Sequence, residues 1–174
     1  MLLNANASFD LAQRLRRGGI SLGEAFGFMS PLYFAGKLKY ASVFSSQMGQ
    51  TPGTLIITAC RGLLRPETMV TAEELQAICG EAIVAKNPKY RDPLERDLRT
   101  LSDAIGEHHR VVLLGSIATR KYIPVLLEAL GERLLVPQEF VGMGNMQRGA
   151  LLMRCWREKS ELKYVSAGEV LQRR

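Results

Sequence analysis

The residues best suited to chemistry in this chain follow an apolar run at positions 111–114. Gly115 ends that run, and Ser116, Thr119 and Lys121 come soon after it. A glycine allows a tight turn after a strand, and the free amides at the start of the next helix attract anions. The segment therefore predicts an anion site. Helix capping by Ser116 or Thr119 explains the same residues, and we favour that simpler interpretation.

A glycine-rich segment at 142–149 adds two polar side chains, Asn145 and Arg148. Two of its glycines have the spacing of a phosphate-binding P-loop. An alanine and a leucine follow, however, where that motif requires a lysine and a hydroxyl residue. The segment is therefore not a P-loop, and we interpret it either as a flexible lid or substrate loop or as a plain connection.

Cys60 follows another apolar run, at 54–59, and Arg61 stands beside it. A neighbouring guanidinium lowers the pKa of a thiol and favours its use as a nucleophile. No histidine is placed by the sequence to assist it, so an unreactive thiol is the favoured interpretation. The three cysteines lie far apart and no paired Cys or His ligands occur, so we predict no disulfide framework, no metal and no cofactor.

A basic and aromatic cluster lies earlier in the chain, at Tyr33, Lys37, Lys39 and Tyr40. Aromatic side chains next to cations are suited to stacking on a nucleobase. The favoured alternative is a helix face that uses these residues for packing, with the lysine stems lying along apolar surface.

The elements that position these residues alternate between strand and helix. Apolar runs at 54–59, 111–115 and 134–137 predict buried strands, and helical periodicity fills the intervals. Capping boxes at Ser21–Glu24 and Thr71–Glu74 predict two helix starts. Strands connected in this way form a parallel sheet with right-handed crossovers. Ligands bind such sheets beyond the carboxyl ends of the strands, which is where most of the candidate residues lie.

We therefore predict a single α/β domain over residues 1–174, in three layers, with a short, mainly parallel sheet flanked by helices. Residues 1–30 would form a helical N-terminal extension, and residues 150–166 a C-terminal antiparallel hairpin. The composition, 47% hydrophobic and 23% charged, is that of a globular protein. No apolar run is long enough for a membrane span and no secretory signal is seen, so we expect no membrane association and a cytoplasmic location.

Three stretches of the sequence occur in an order typical of a known family. They are L-Y-F-x-x-K-L-x-Y-A at 32–41, I-T-A-C-R-G-L-L-x-P-E-T at 57–68, and L-L-G at 113–115 with Y-I-P-x-L at 122–126. Over about residues 31–137 the chain resembles the bacterial YaaA-like domains labelled as peroxide-stress proteins, which we associate with the uracil-DNA-glycosylase-like α/β group.

The resemblance implies a shared pocket surrounded by Tyr33, Gly62, Gly115 and Tyr122. The family's domains usually open with a strand followed by a loop that contains cysteine-serine and lysine. Here the opening is helical and that loop is missing. Because the glycosylase-like fold tends to hold its catalytic groups after its first strand, the resemblance implies a diverged or inactive relative.

The leading functional prediction is a nucleotide-, nucleobase- or nucleic-acid-binding α/β domain, as an enzyme of nucleic-acid metabolism or a diverged relative of one. The net charge of +6 agrees with phosphate-rich partners. No residue is assigned a catalytic role. The candidate ligand-binding residues are Tyr33, Cys60, Arg61, Gly62, Gly115, Ser116, Thr119, Lys121, Tyr122, Asn145 and Arg148.

Two other functions agree with the same sequence. One is a non-catalytic interaction or assembly module, in which the terminal hairpin, with Leu151, Leu152 and Trp156, pairs with a protein partner or a second copy. The other is a small-molecule transferase that uses Ser116 and Arg148 on a phosphorylated substrate.

Overall fold

The fold is a mixed α/β arrangement dominated by helices, given by a computed structural model that describes residues 2–117 and 121–172. The helices in these residues are α1 (Asp10–Gly18), α2 (Leu22–Met29), α3 (Tyr33–Phe44), α4 (Ala72–Gly80), α5 (Pro88–Ile105), α6 (Ile123–Leu130), α7 (Asn145–Glu158) and α8 (Ala167–Gln172). Within the same residues, no helix combines the length and apolar character needed to cross a membrane.

The strands are short and form small separate sheets. They are β1 (Ile20–Ser21), β2 (Ile56–Ile57), β3 (Leu63–Leu64), β4 (Met69–Val70), β5 (Val111–Val112), β6 (Leu134–Pro137) and β7 (Tyr164–Ser166). β1 pairs with β4 and β2 with β3, both antiparallel. The third sheet has the order β5-β6-β7, in which β6 runs parallel to β5 and antiparallel to β7. Parallel pairing in the described residues is therefore confined to β5 and β6.

The apolar run at 54–59 does not join β5 and β6, which corrects the prediction of neighbouring parallel strands. Thr58 donates hydrogen bonds from its backbone amide and its hydroxyl to the carbonyl of Gly62, each over 2.9 Å. Gly62 has a φ of 64°, a conformation that glycine adopts without strain. These contacts reverse the chain, so that β2 pairs with its immediate successor β3 rather than with the distant β5.

The predicted C-terminal hairpin over 150–166 is also wrong, because residues 145–158 form the helix α7. The buried residues Leu151, Leu152 and Cys155 recur at helical spacing, which places them on one face. The Gln147 side chain accepts a hydrogen bond from the Gly144 amide at the start of the helix. The strand β7 follows α7 and pairs with β6, not with a strand from 150–156.

Local signals at helix starts are confirmed. Ser21 with Glu24 and Thr71 with Glu74 form complete capping boxes at α2 and α4. The helix α5 begins at Pro88, because Asn87 caps it and proline is well tolerated in the first turn.

The buried side chains form two clusters. The larger one unites α3, α5, α6 and α7 with the β5-β6-β7 sheet. The smaller one unites α1, α2 and α4 with β1 and β4. The helical residues predicted as an N-terminal extension therefore contribute directly to a core: Leu15, Ile20 and Leu22 are at most 2% exposed.

The helices α3 and α7 approach closely at two glycines, Gly36 and Gly149, whose missing side chains leave room for the neighbouring backbone. A Cβ on Gly149 would lie 2.8 Å from Cγ of Leu32 and 3.0 Å from Cα of Tyr33. A Cβ on Gly36 would lie 3.3 Å from the carbonyl oxygen of Gly149. The crossing sets how closely the side chains of α3 approach those of α7.

We expect Gly149→Ala to lower the free energy of unfolding by about 1–2 kcal/mol, measured by urea denaturation. Alanine is intrinsically better than glycine in a helix by about 1 kcal/mol, but its methyl group would force apart two packed backbones. Because backbone atoms cannot move aside as a flexible side chain can, overpacking here should cost about 2–3 kcal/mol, the upper part of the usual range. The control is Gly80→Ala in α4, where a Cβ meets nothing within 4 Å in the described structure. A Gly149→Ala variant at least as stable as wild type would contradict this account of the crossing.

Candidate functional site

A cavity of about 380 Å³ runs along one face of α3. Lys37, Tyr40, Ala41 and Phe44 recur at helical spacing and line it. Residues 51–57, β5 and parts of α5 and α6 complete a wall that is mostly apolar. We refer to this space as the α3 cavity. An apolar recess with a few polar groups is the usual form of a small-molecule site.

Lys37 brings a positive charge to the wall of the α3 cavity. Its ammonium nitrogen lies 4.0 Å from the centre of the Tyr33 ring and 5.3 Å from that of Phe34. No ion pair joins it to a carboxylate among residues 2–117 and 121–172. Burial lowers the pKa of Lys37 to about 8, and the positive charge of Arg148 contributes to the shift in the same direction.

Arg148, on α7, is a second cation beside Lys37 and is only 3% exposed. One terminal nitrogen donates a hydrogen bond of 3.0 Å to the carbonyl oxygen of Phe140. Its Nε is buried without a hydrogen-bond partner within the described structure. A buried charge is costly unless it is paired and fully hydrogen-bonded. Arg148 and Lys37 together therefore form a cationic pair that lacks a counter-ion in the described part of the chain.

Two tyrosines lie beside this cationic pair. The Tyr33 hydroxyl donates to the carbonyl oxygen of Leu114 over 3.4 Å. Burial raises the pKa of Tyr33, and a hydrogen bond with Arg148 opposes that rise. Burial likewise raises the pKa of Tyr122, with a smaller contribution from Tyr33. Both phenols therefore stay neutral near pH 7 and do not supply the missing negative charge.

A second polar cluster lies one turn further along α3. The hydroxyls of Tyr40 and Tyr164 are 2.5 Å apart, and the Leu162 amide donates to the Tyr40 oxygen over 2.9 Å. Burial raises the pKa of both phenols. This cluster ties β7 to α3 and is satisfied by its own hydrogen bonds.

The structure brings together four of the residues proposed from the sequence. Gly115 and Tyr122 line the α3 cavity, while Tyr33 and Arg148 adjoin it through Lys37. Lys37 itself was assigned only to a basic and aromatic cluster. Lys37 follows Tyr33 by four residues and so lies on the same helix face. That spacing is the sequence signal that places Lys37 at the same site as Tyr33.

Cys60, Arg61 and Gly62 lie elsewhere and do not line the α3 cavity. Arg61 forms an ion pair of 2.9 Å with Glu74. Cys60 packs against the smaller hydrophobic cluster. A Cβ on Gly62 would overlap the Asp97 carboxylate, which accepts a hydrogen bond from the Leu63 amide. The β2–β3 turn therefore meets α5 at Gly62 and α4 through Arg61. Gly62 does not belong to the pocket that the resemblance implies.

The remaining candidates do not line the α3 cavity either. Asn145 is exposed as the first residue of α7, and Lys121 is exposed before α6. Ser116 is half-buried. Thr119 lies outside the described residues. No group of three metal-binding side chains (His, Cys, Asp or Glu) occurs in the described ranges.

Comparison with known proteins adds no relative to this description. The chain matches no protein-family model, no curated protein and no solved structure. Any functional conclusion therefore depends on the chemistry of the cavity and on the sequence itself.

We expect Lys37→Met to raise the free energy of unfolding at pH 7 by about 1–3 kcal/mol. The folded-state pKa of Lys37, about 8, is below the ordinary value of 10.5. The unfolded chain therefore binds more protons between these values, and wild-type stability should rise with pH through that window. Urea denaturation at pH 7 and pH 9.5 measures the gap between variant and wild type, which should narrow at the higher pH.

The matched control for that experiment is Lys39→Met, two residues along the same helix. Lys39 is exposed, and its ammonium nitrogen lies 4.4 Å from the centre of the Trp156 ring, outside the α3 cavity. A gap between Lys37→Met and wild type that does not change with pH would show that the buried charge is not the cause.

Proposed function

We propose that this chain binds a nucleotide in the α3 cavity, with the phosphate at Lys37 and the base against the apolar wall. The observation that carries the proposal is the Lys37–Arg148 pair, two neighbouring cations without an ion-paired carboxylate in the described structure. Removing two positive charges from water costs several kcal/mol unless a negative charge compensates them. A bound phosphate would supply that charge.

The size and lining of the cavity favour a small ring-bearing ligand. Its volume of about 380 Å³ lies within the range of small-molecule sites, about 300–1,000 Å³. Apolar side chains such as Phe44, Leu101 and Leu126 line it, and they suit the flat face of a ring. The sequence resemblance to uracil-DNA-glycosylase-like domains favours a nucleobase among the possible ring systems.

The distribution of positive charge favours a nucleotide over a nucleic-acid strand as the ligand. Several surface arginines and lysines are already paired with carboxylates, among them Arg14 with Glu24, Lys89 with Glu81 and Arg91 with Glu128. Such pairs offer a phosphate backbone little free positive charge. The Lys37–Arg148 pair is recessed instead, where a mononucleotide reaches it more easily than a duplex.

The other two functions have less support. The apolar residues expected to form a pairing hairpin, Leu151 and Leu152, are 9% and 0% exposed on the inner face of α7, so an assembly module loses its proposed contact. The transferase would use Ser116, which is half-buried and does not line the α3 cavity.

Isothermal titration of the full chain with AMP, GMP, CMP and UMP tests the proposal. We expect at least one to bind, and Lys37→Met to weaken binding about 10–100-fold, because a charge-assisted hydrogen bond contributes about 1.5–3 kcal/mol. Affinity should fall as the pH rises through about 8, where free Lys37 loses its proton. Lys37→Arg, which keeps its charge, should retain binding and lose this pH dependence.

Lys39→Met serves as the control and should bind like wild type. Failure of all four nucleotides to bind at low salt would refute the proposal, since phosphate contacts are strongest there. Equal effects of Lys37→Met and Lys39→Met would also refute it. Binding of single-stranded DNA but of no mononucleotide would show that the site is a nucleic-acid interface instead.

A further inference from the structure

Lys37 differs from a structural lysine in three respects. It lines a cavity with room for a ligand. Its contacts are with the Tyr33 and Phe34 rings rather than with a carboxylate in the described residues. Its neighbour across the helix crossing is the buried cation Arg148. A desolvated amine next to another cation is the known way to activate a lysine as a nucleophile.

We propose that Lys37 is a carbonyl-reactive amine that forms an imine with an aldehyde or ketone held in the α3 cavity. The proposal depends on the apolar surroundings of Lys37 and on its access to the cavity. It goes beyond nucleotide binding, because it requires neither a phosphate nor a base.

The reaction balances without any external oxidant or reductant. The lone pair of the neutral Lys37 nitrogen attacks the carbonyl carbon, and the carbonyl π electrons move to oxygen. Proton transfer from nitrogen to oxygen gives a carbinolamine. Loss of the hydroxyl group and the second nitrogen proton as water then leaves the carbon–nitrogen double bond. The apolar wall favours this last step, because it holds the product away from bulk water.

The protonation state of Lys37 makes the reaction feasible near neutral pH. With a pKa of about 8, about a quarter of the amine is neutral at pH 7.5, against about one part in a thousand for an ordinary lysine. The titratable groups beside it are Arg148 from α7 and Tyr33 on its own helix, and Tyr122, before α6, lines the same cavity. Other titratable residues on the cavity wall are Tyr40, His109, Arg110, Glu161 and Tyr164.

Reductive labelling of the full chain tests the proposal. The protein is incubated at pH 7.5 with benzaldehyde and sodium cyanoborohydride, which reduces an imine to a stable secondary amine. Peptide mass spectrometry then gives the labelling rate of each lysine. We expect Lys37 to react at least tenfold faster than Lys39, which occupies the same helix in the same sample. This internal comparison needs no variant and does not depend on a variant folding.

Two variants test why Lys37 should label faster than the other lysines. Lys37→Arg should abolish the fast label and leave the slow labelling of the other lysines unchanged. Arg148→Gln should raise the pKa of Lys37 by removing a positive charge, and so shift the pH profile of Lys37 labelling to higher pH. Circular dichroism establishes that each variant is folded before its rates are compared.

A Lys37 rate no greater than that of Lys39 would overturn the proposal. A labelling profile for Lys37 with its midpoint above pH 10 would do so as well. Failure of nucleotide binding would leave the imine proposal intact, because benzaldehyde carries no phosphate. Conversely, a chain that binds nucleotides but does not label at Lys37 would retain the proposed function and lose this inference.

Discussion

The glycine crossing of α3 and α7 is the constraint on which the candidate site depends. With no side chains at Gly36 and Gly149, the two helix backbones approach closely. Tyr33 and Lys37 lie on α3, within one turn of Gly36, while Arg148 immediately precedes Gly149 on α7. The short approach therefore brings two cations together that a wider crossing would keep apart, and it leaves Arg148 buried and Lys37 half-buried.

This arrangement is costly for stability, which is why it indicates a function. A core built only for folding would place aliphatic side chains on the inner face of α7, as at Leu151 and Leu152. Instead the chain buries a guanidinium with an unpartnered Nε and sets a lysine next to it. Destabilising groups of this kind are typical of functional sites, where stability is sacrificed for chemistry.

The sequence revealed local features well and distant ones poorly. Capping boxes at Ser21 and Thr71 were readable because both partners lie within four residues. The mostly apolar stretch 151–156, followed by the polar run 157–161, resembles a strand and a turn, although the buried residues have helical spacing. The α3 cavity was invisible, since its walls come from segments far apart in the chain. Lys37 and Arg148 come together only because α3 and α7 cross, and two isolated glycines in the sequence do not predict that crossing.

Ligands bind parallel sheets beyond the carboxyl ends of the strands, and this rule accounts for part of the site when it is applied only to neighbouring parallel strands. β5 and β6 form that pair. The carbonyl of Leu114, just after β5, accepts from Tyr33, and the carbonyl of Phe140, just after β6, accepts from Arg148. Both strand ends thus direct carbonyl dipoles at the same cluster. The Phe140 carbonyl partly compensates Arg148, which leaves Lys37, on the cavity wall, as the cation available to a ligand. The rule does not place Cys60 at this site, because β2 belongs to a different sheet.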